Sequence, residues 1–185
     1  MTIPSLARLE ACQLVMIDMQ TKLSLAMPAD AMYAASKQVE ILLHSAQLLS
    51  VPVMVTEQYP QGLGQTLPNL TALIPHVQVI EKTAFSACAE PKFNAKLSRD
   101  KSQMILVGME AHICVLQTAM DLLANHKQVF VVEDAVISRQ SDHKANALAR
   151  LRQAGCIITN TESVLFEWLG NAQHETFKTV SKLIR

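Results

Sequence analysis

The chain has 185 residues, of which 16 are Lys or Arg and 16 are Asp or Glu, so its formal charge at pH 7 is zero. Half of it is hydrophobic and 17% charged, which excludes disorder and supplies enough apolar side chain for one full core, a single domain over 1–185. The even charge argues against nucleic acid, whose phosphates are met by an excess of Lys and Arg. No apolar run approaches the roughly 20 residues of a membrane span.

Met1–Glu10 carries Arg8 and Glu10 but no apolar stretch, so no secretory leader is expected. The four cysteines, at 12, 88, 114 and 156, are too sparse for a disulfide scaffold and form no Cys-x-x-Cys pair. These features suit a soluble cytoplasmic protein. Zero net charge leaves little colloidal repulsion against self-association.

Along the chain, short apolar runs alternate with helical patterns. Gln13–Ile17 (QLVMI) reads as a strand buried on both faces and stops at Asp18. Ala35, Val39, Leu42, Ala46 and Leu49 recur at helical spacing within Met32–Leu49. Val51–Thr56 is a second strand, with Pro52 near its start. Gln58–Pro75, holding Gly62, Gly64 and three prolines, is a long loop.

Val77–Glu81 is a third strand and Pro91–Arg99 a short helix. Gln103–Val107 (QMILV) is a strand, Ala111–Asn125 a helix and Gln128–Glu133 (QVFVVE) a strand. Asp142 is expected to N-cap a helix that runs to Ala154 and stops at Gly155. Cys156–Thr159 is the sixth strand, and Ser163–Leu169 and Glu175–Ile184 close the chain as helices. Six strands with helices between most of them predict an α/β, three-layer sandwich: one parallel sheet with helices on both faces.

In such sheets ligands sit beyond the carboxyl ends of the strands. The polar residues falling there are Asp18, Glu57, Gln58, Glu81, Lys82, Gly108, Glu110, His112, Cys114, Glu133 and Asp134. A cysteine in the first turn of a helix has its thiolate favoured by the dipole and free N–H groups, and a nearby lysine adds to this. A carboxylate can take the thiol proton and return it, while backbone N–H groups hold an oxyanion. Asp18, Lys82 and Cys114 supply these groups from three strand ends.

The motifs Leu14–Gln20 (LVMIDMQ), Glu81–Phe85 (EKTAF), Gly108–Val115 (GMEAHICV) and Glu133–Arg139 (EDAVISR) resemble, in order, those of the isochorismatase-like cysteine hydrolases. Thr56–Gly64 (TEQYPQGLG) and Gly108–Cys114 most resemble the isochorismatase domain-containing subgroup. The resemblance implies a catalytic triad of Asp18, Lys82 and Cys114. It also implies a cis non-proline peptide at Met109–Glu110 and an oxyanion hole from the N–H groups of Glu110 and Cys114. Ala111 stands where many relatives have Thr.

The metal-binding Asp-x-His pair of the nicotinamidase branch is absent after the second strand, which reads Thr56-Glu57-Gln58-Tyr59, and His76 has no partner at ligand spacing. No metal or other cofactor is therefore expected. Isochorismatases proper lack the nucleophilic cysteine, so Cys114 points to an amidase-like hydrolase of a small-molecule substrate. The resemblance also implies a homo-oligomer, a dimer or larger, with Phe166, Trp168 and Leu169 offering apolar positions. Two other functions stand beside this one: a binding or regulatory protein with a redox-sensitive Cys114, and enol-ether hydrolysis.

Leu23, Leu63, Phe85 and Ile113 are expected to line an apolar pocket near these residues. Cys12, Cys88 and Cys156 read as core residues. His112 reads as a helix-start residue near the pocket mouth, since His112 and Cys114 alone do not make a zinc site. Strand alternation turns Glu81 away from Lys82. Gly62-x-Gly64 lacks the third glycine of a dinucleotide fingerprint.

Overall fold

Each of the six apolar runs is a strand in the computed structural model, which describes residues 6–184. The leader reading over Met1–Glu10 thus lies partly outside the described residues. The strands are β1 (Cys12–Ile17), β2 (Val53–Gln58), β3 (Val79–Lys82), β4 (Gln103–Met109), β5 (Gln128–Ile137) and β6 (Ile157–Thr159). All pair in parallel, in the order β3-β2-β1-β4-β5-β6. The chain winds outward from β1 in one direction and from β4 in the other. The switch point, where open α/β sheets leave a crevice, therefore lies between the ends of β1 and β4.

β1 is buried at every position because its side chains feed two cores. Leu14 and Met16 pack into one, with Val39, Leu42 and Leu43 of α2 (Ala29–Leu48) and Val164 and Trp168 of α8 (Thr161–Leu169). Val15 and Ile17 pack into the other, with Phe93 of α5 (Pro91–Lys96), Ala119 and Leu122 of α6 (Leu116–Ala124), and Ala147 and Leu151 of α7 (Ser141–Ala154). Helices thus cover both faces, giving the three layers expected. Gly155 ends α7 in the left-handed region, at φ 104°. Among the described residues no helix is long and apolar enough to cross a membrane.

Several expectations need correction. The Gln58–Pro75 loop contains two single turns, α3 (Pro60–Leu63) and α4 (Pro68–Thr71), each opened by a proline whose fixed φ suits a first helical position. Another short turn, α1 (Thr21–Ser24), follows β1. Gln140, not Asp142, is the N-cap of α7, and Asp142 sits in its first turn. The terminal helix shrinks to α9 (Phe177–Val180). Of the apolar positions offered for self-association, Trp168 and Leu169 are buried within the chain's own core and only Phe166 is exposed.

Candidate active site

β1 delivers Asp18 to the switch point, where the chain turns with φ 53°. An aspartate enters this left-handed region more readily than most residues because its short polar side chain bonds locally. The Asp18 side chain is fully buried, and its Oδ1 accepts from Thr56 Oγ1 at 2.6 Å. On β3 the pleat turns Glu81 out and Lys82 in. Lys82 Nζ meets Asp18 Oδ2 at 2.7 Å, with neither side chain exposed.

The ammonium reaches further acceptors: Gln58 Oε1 at 2.7 Å, the Phe85 carbonyl at 3.1 Å and the Ala84 carbonyl at 3.4 Å. Gln58 is itself held from three directions. Its N–H donates to Gln20 Oε1 at 2.8 Å, its carbonyl accepts from Gln20 Nε2 at 3.0 Å, and its Nε2 donates to the Thr83 carbonyl at 2.7 Å. Gln20 Nε2 also donates to the Gly64 carbonyl at 2.6 Å, tying the loop after α3 to this cluster.

β4 approaches β1 so closely at Gly108 that a Cβ there would lie 2.0 Å from the Ile17 carbonyl oxygen, and its φ of 117° suits only glycine. The Met109–Glu110 peptide is cis. The helix expected from Ala111 opens as a π turn (Ala111–Val115) before continuing as α6. The N–H groups of Ile113 and Val115 both donate to the Glu110 carbonyl, at 3.1 and 3.2 Å. Cys114 lies between them, its side chain buried.

Cys114 Sγ is 4.0 Å from Gln58 Oε1, the same oxygen that accepts from Lys82 Nζ, and the charges of Asp18 and Lys82 both act on it. Burial, with the Asp18 charge behind it, pushes the thiol up to about 12, while Lys82 pulls the other way. The ammonium is aimed at four oxygens, and burial opposes the thiolate that the lysine and the helix start favour.

The carboxylate of Glu110 is buried and accepts from the Arg139 N–H at 3.1 Å and Arg139 Nε at 3.0 Å. His112 Nδ1 is 3.0 Å from Ser138 Oγ, and its ring centroid lies 4.6 Å from that of His143 of α7, the rings tilted by 42°. Burial holds the His112 imidazole below its ordinary range.

The structure thus brings together Asp18, Lys82 and Cys114, with Glu110 on the same turn as the sulfur. Of the four apolar pocket candidates, Leu23 and Ile113 are half-buried against the two cores and Leu63 is half-buried. Phe85 is exposed, its carbonyl beside Lys82. Cys12 and Cys156 are buried and Cys88 half-buried. Gln20 and Thr56 are residues that the sequence did not assign to the site, and Gln58 was placed at a strand end without a role. Their signal was polarity at the ends of strands that are otherwise apolar.

A family model described as the isochorismatase domain matches residues 12–163. Isochorismatase domain-containing protein 2 of Bos taurus is 42% identical over 144 residues, 78% of this chain and 70% of that protein. The secreted isochorismatase effector Isc1 of Phytophthora sojae is 40% identical over 150 residues, 78% and 71% of the two chains. Among solved structures, a Caenorhabditis elegans protein described as MAR1 ribonuclease is 36% identical with a TM-score of 0.92, covering 97% of this chain and 92% of its own. The Escherichia coli YcaC gene product, described as an octameric hydrolase of unknown specificity, has a TM-score of 0.90 at 22% identity, covering 99% and 91%, a likeness of fold.

Proposed function

The chain belongs to the isochorismatase family, and we propose that it is a cysteine-dependent hydrolase acting on the C–N bond of a small amide. One observation carries this reading: a buried carboxylate, an ammonium and a thiol, from three separate strand ends, share one cluster at the sheet's switch point.

On this route Asp18 takes the Sγ proton as the sulfur attacks the carbonyl carbon. The S–C bond forms while the C=O π electrons move onto oxygen, which the N–H groups of Glu110 and Cys114 hold. Collapse of this intermediate breaks the C–N bond, and the proton on Asp18 leaves with the amine. Water then attacks the thioester, giving one proton to Asp18 and on to the sulfur, and the acid departs. Lys82 holds Asp18 in place through their 2.7 Å contact. Leu23, Leu63, Phe85 and Ile113 form the apolar rim for the substrate's remaining atoms, and the chemistry uses side chains and water alone.

The test is a panel of small amides and activated anilides, followed for a burst of amine and for acyl-enzyme by mass spectrometry. Wild type is expected to show both, and Cys114→Ala neither. If wild type and Cys114→Ala are equally inert across the panel while folded, the hydrolase reading fails and the binding or redox role gains. If activity survives loss of the sulfur, enol-ether hydrolysis replaces it. The ribonuclease description of three similar solved structures suggests RNA as a second substrate class. The equal counts of basic and acidic residues give no excess charge to draw a polyphosphate, so an RNA cleavage assay is expected to be negative. Light scattering is expected to show a homo-oligomer.

A further inference from the structure

β5 does more than extend the sheet. From Leu106 to Gly108 on β4 the paired positions on β5 run from Val131 to Val136, so β5 advances five residues while β4 advances two. This bulge carries the partly exposed stretch at Glu133–Asp134 and moves the end of the strand forward. Gly108 then pairs with Val136 and Met109 with Ile137, which leaves Ser138 and Arg139 abreast of Glu110 and His112. Both contacts are made. Arg139 gives two N–H bonds to one oxygen of the Glu110 carboxylate, and Ser138 meets the His112 ring.

Resting on the hydrolase reading above, we propose that Ser138 and Arg139 are positioning residues that clamp the turn carrying the oxyanion hole. The two proposed oxyanion donors, the N–H groups of Glu110 and Cys114, flank residues 111–113. Arg139 grips Glu110 by its side chain, and Ser138 grips the turn at its middle, through His112. Because the Glu110 carboxylate is buried, losing the Arg139 Nε donor leaves it the Arg139 main-chain N–H alone and drives it toward another partner or toward water. A turn no longer anchored through this side chain lets the Glu110 N–H shift. A donor displaced by even a fraction of an ångström no longer meets the oxygen that develops during attack. Neither Ser138 nor Arg139 needs to touch the substrate for this to hold.

The test compares two reactions of the same sulfur. Benzaldehyde adds reversibly to a thiol: the S–C bond forms, the C=O π bond opens, and the thiol proton ends on the former carbonyl oxygen, which lies where the oxyanion would. Iodoacetamide alkylates by displacement: the S–C bond forms as C–I breaks, and iodide leaves with no oxyanion made. In Arg139→Gln the dissociation constant of the benzaldehyde adduct is expected to rise about 10- to 100-fold, with the iodoacetamide rate within about twofold of wild type. Ser138→Ala, which leaves the ion pair intact, is expected to shift the same constant in the same direction by about three- to tenfold. Arg139→Lys recovers part of the loss. Glu110→Ala combined with Arg139→Gln is expected to be no worse than the poorer single variant, as for two ends of one contact.

An unchanged adduct constant in both Arg139→Gln and Ser138→Ala overturns the clamp. So does a parallel fall in adduct formation and alkylation, which a merely structural role would produce. If wild type and Cys114→Ala bind benzaldehyde alike, the hydrolase reading itself fails, a result distinct from either of these.

Discussion

Removing Lys82 is expected to cost more stability than removing the charge of its partner Asp18, although both substitutions break the same ion pair. The two groups meet at 2.7 Å with neither side chain exposed. At an effective dielectric of about 20 their attraction is on the order of 6 kcal/mol, most of which offsets the desolvation of the two charges. Lys82→Met strips the buried Asp18 carboxylate of its cation and leaves it Thr56 Oγ1, at 2.6 Å, as a side-chain donor. A charge abandoned in this way costs about 3–5 kcal/mol. Asp18→Asn leaves the ammonium three other oxygens, on Gln58, Phe85 and Ala84, which match its three protons. The loss there is about 1–3 kcal/mol, that of a hydrogen bond to a charged group. In urea at pH 7, with a slope of about 2 kcal/mol per M, the midpoint of Lys82→Met should fall by about 2 M and that of Asp18→Asn by about 1 M. Equal losses, or a larger loss for Asp18→Asn, would refute the reasoning.

Burial pushes Cys12 and Cys88 up to about 11 and Cys114 and Cys156 up to about 12. In each case the folded state holds its proton above the pH at which the unfolded thiol releases it. The stabilisation is therefore complete below about pH 8.5 and lost as pH rises toward the folded values, by about 1 kcal/mol per pH unit per thiol; denaturation midpoints between pH 8 and 11 check this. Gly108→Ala is expected to cost more than about 4 kcal/mol, because the new methyl meets the Ile17 backbone at 2.0 Å and φ is positive, with thermal melting and soluble yield as the measures. For His112, whose proton affinity burial depresses, NMR titration of the imidazole should give a midpoint below about 6.5. The unfolded chain then binds the proton first, so the fold loses stability as pH falls below 6.5.

The sheet was legible because its strands are buried on both faces, so β1 and β4 stand out as unbroken apolar runs. The end of β5 was not. Glu133 and Asp134 interrupt its apolar run, and reading them as its terminus ignores that a bulge can carry polar residues outward while the ladder resumes at Val136. With that extension hidden, nothing tied Ser138 and Arg139, the end of the Glu133–Arg139 motif, to Glu110. Asp18, Lys82 and Cys114 were legible as chemistry at strand ends, and the resemblance linked them. Gln20 and Thr56 were not, and Gln58 was named at a strand end without a role, because an amide or hydroxyl carries no catalytic signature and its value here lies in contacts formed only once β1, β2 and β3 lie side by side. Asp142 met every local criterion for a cap, but the first turn of α7 begins one residue before it.

Burial, which opposes ionisation of Cys114, sharpens the role of Lys82 on the proposed route. On that route the cluster starts with one carboxylate, one ammonium and a neutral thiol. Once the proton has moved from Cys114 to Asp18, it holds a neutral acid, the same ammonium and a thiolate. The net charge of this buried volume is zero in both states, so the move places no additional net charge in the low-dielectric interior. What changes is which anion the ammonium faces. Lys82 acts on this account as a counter-ion shared by the two states rather than as the group that ionises the sulfur beforehand. Replacing it should then slow attack on a carbonyl at every pH. The single-turnover pH profile of Lys82→Met between pH 7 and 10 distinguishes this from simple thiolate stabilisation, in which the rate climbs with alkali as the ionised fraction of the thiol rises.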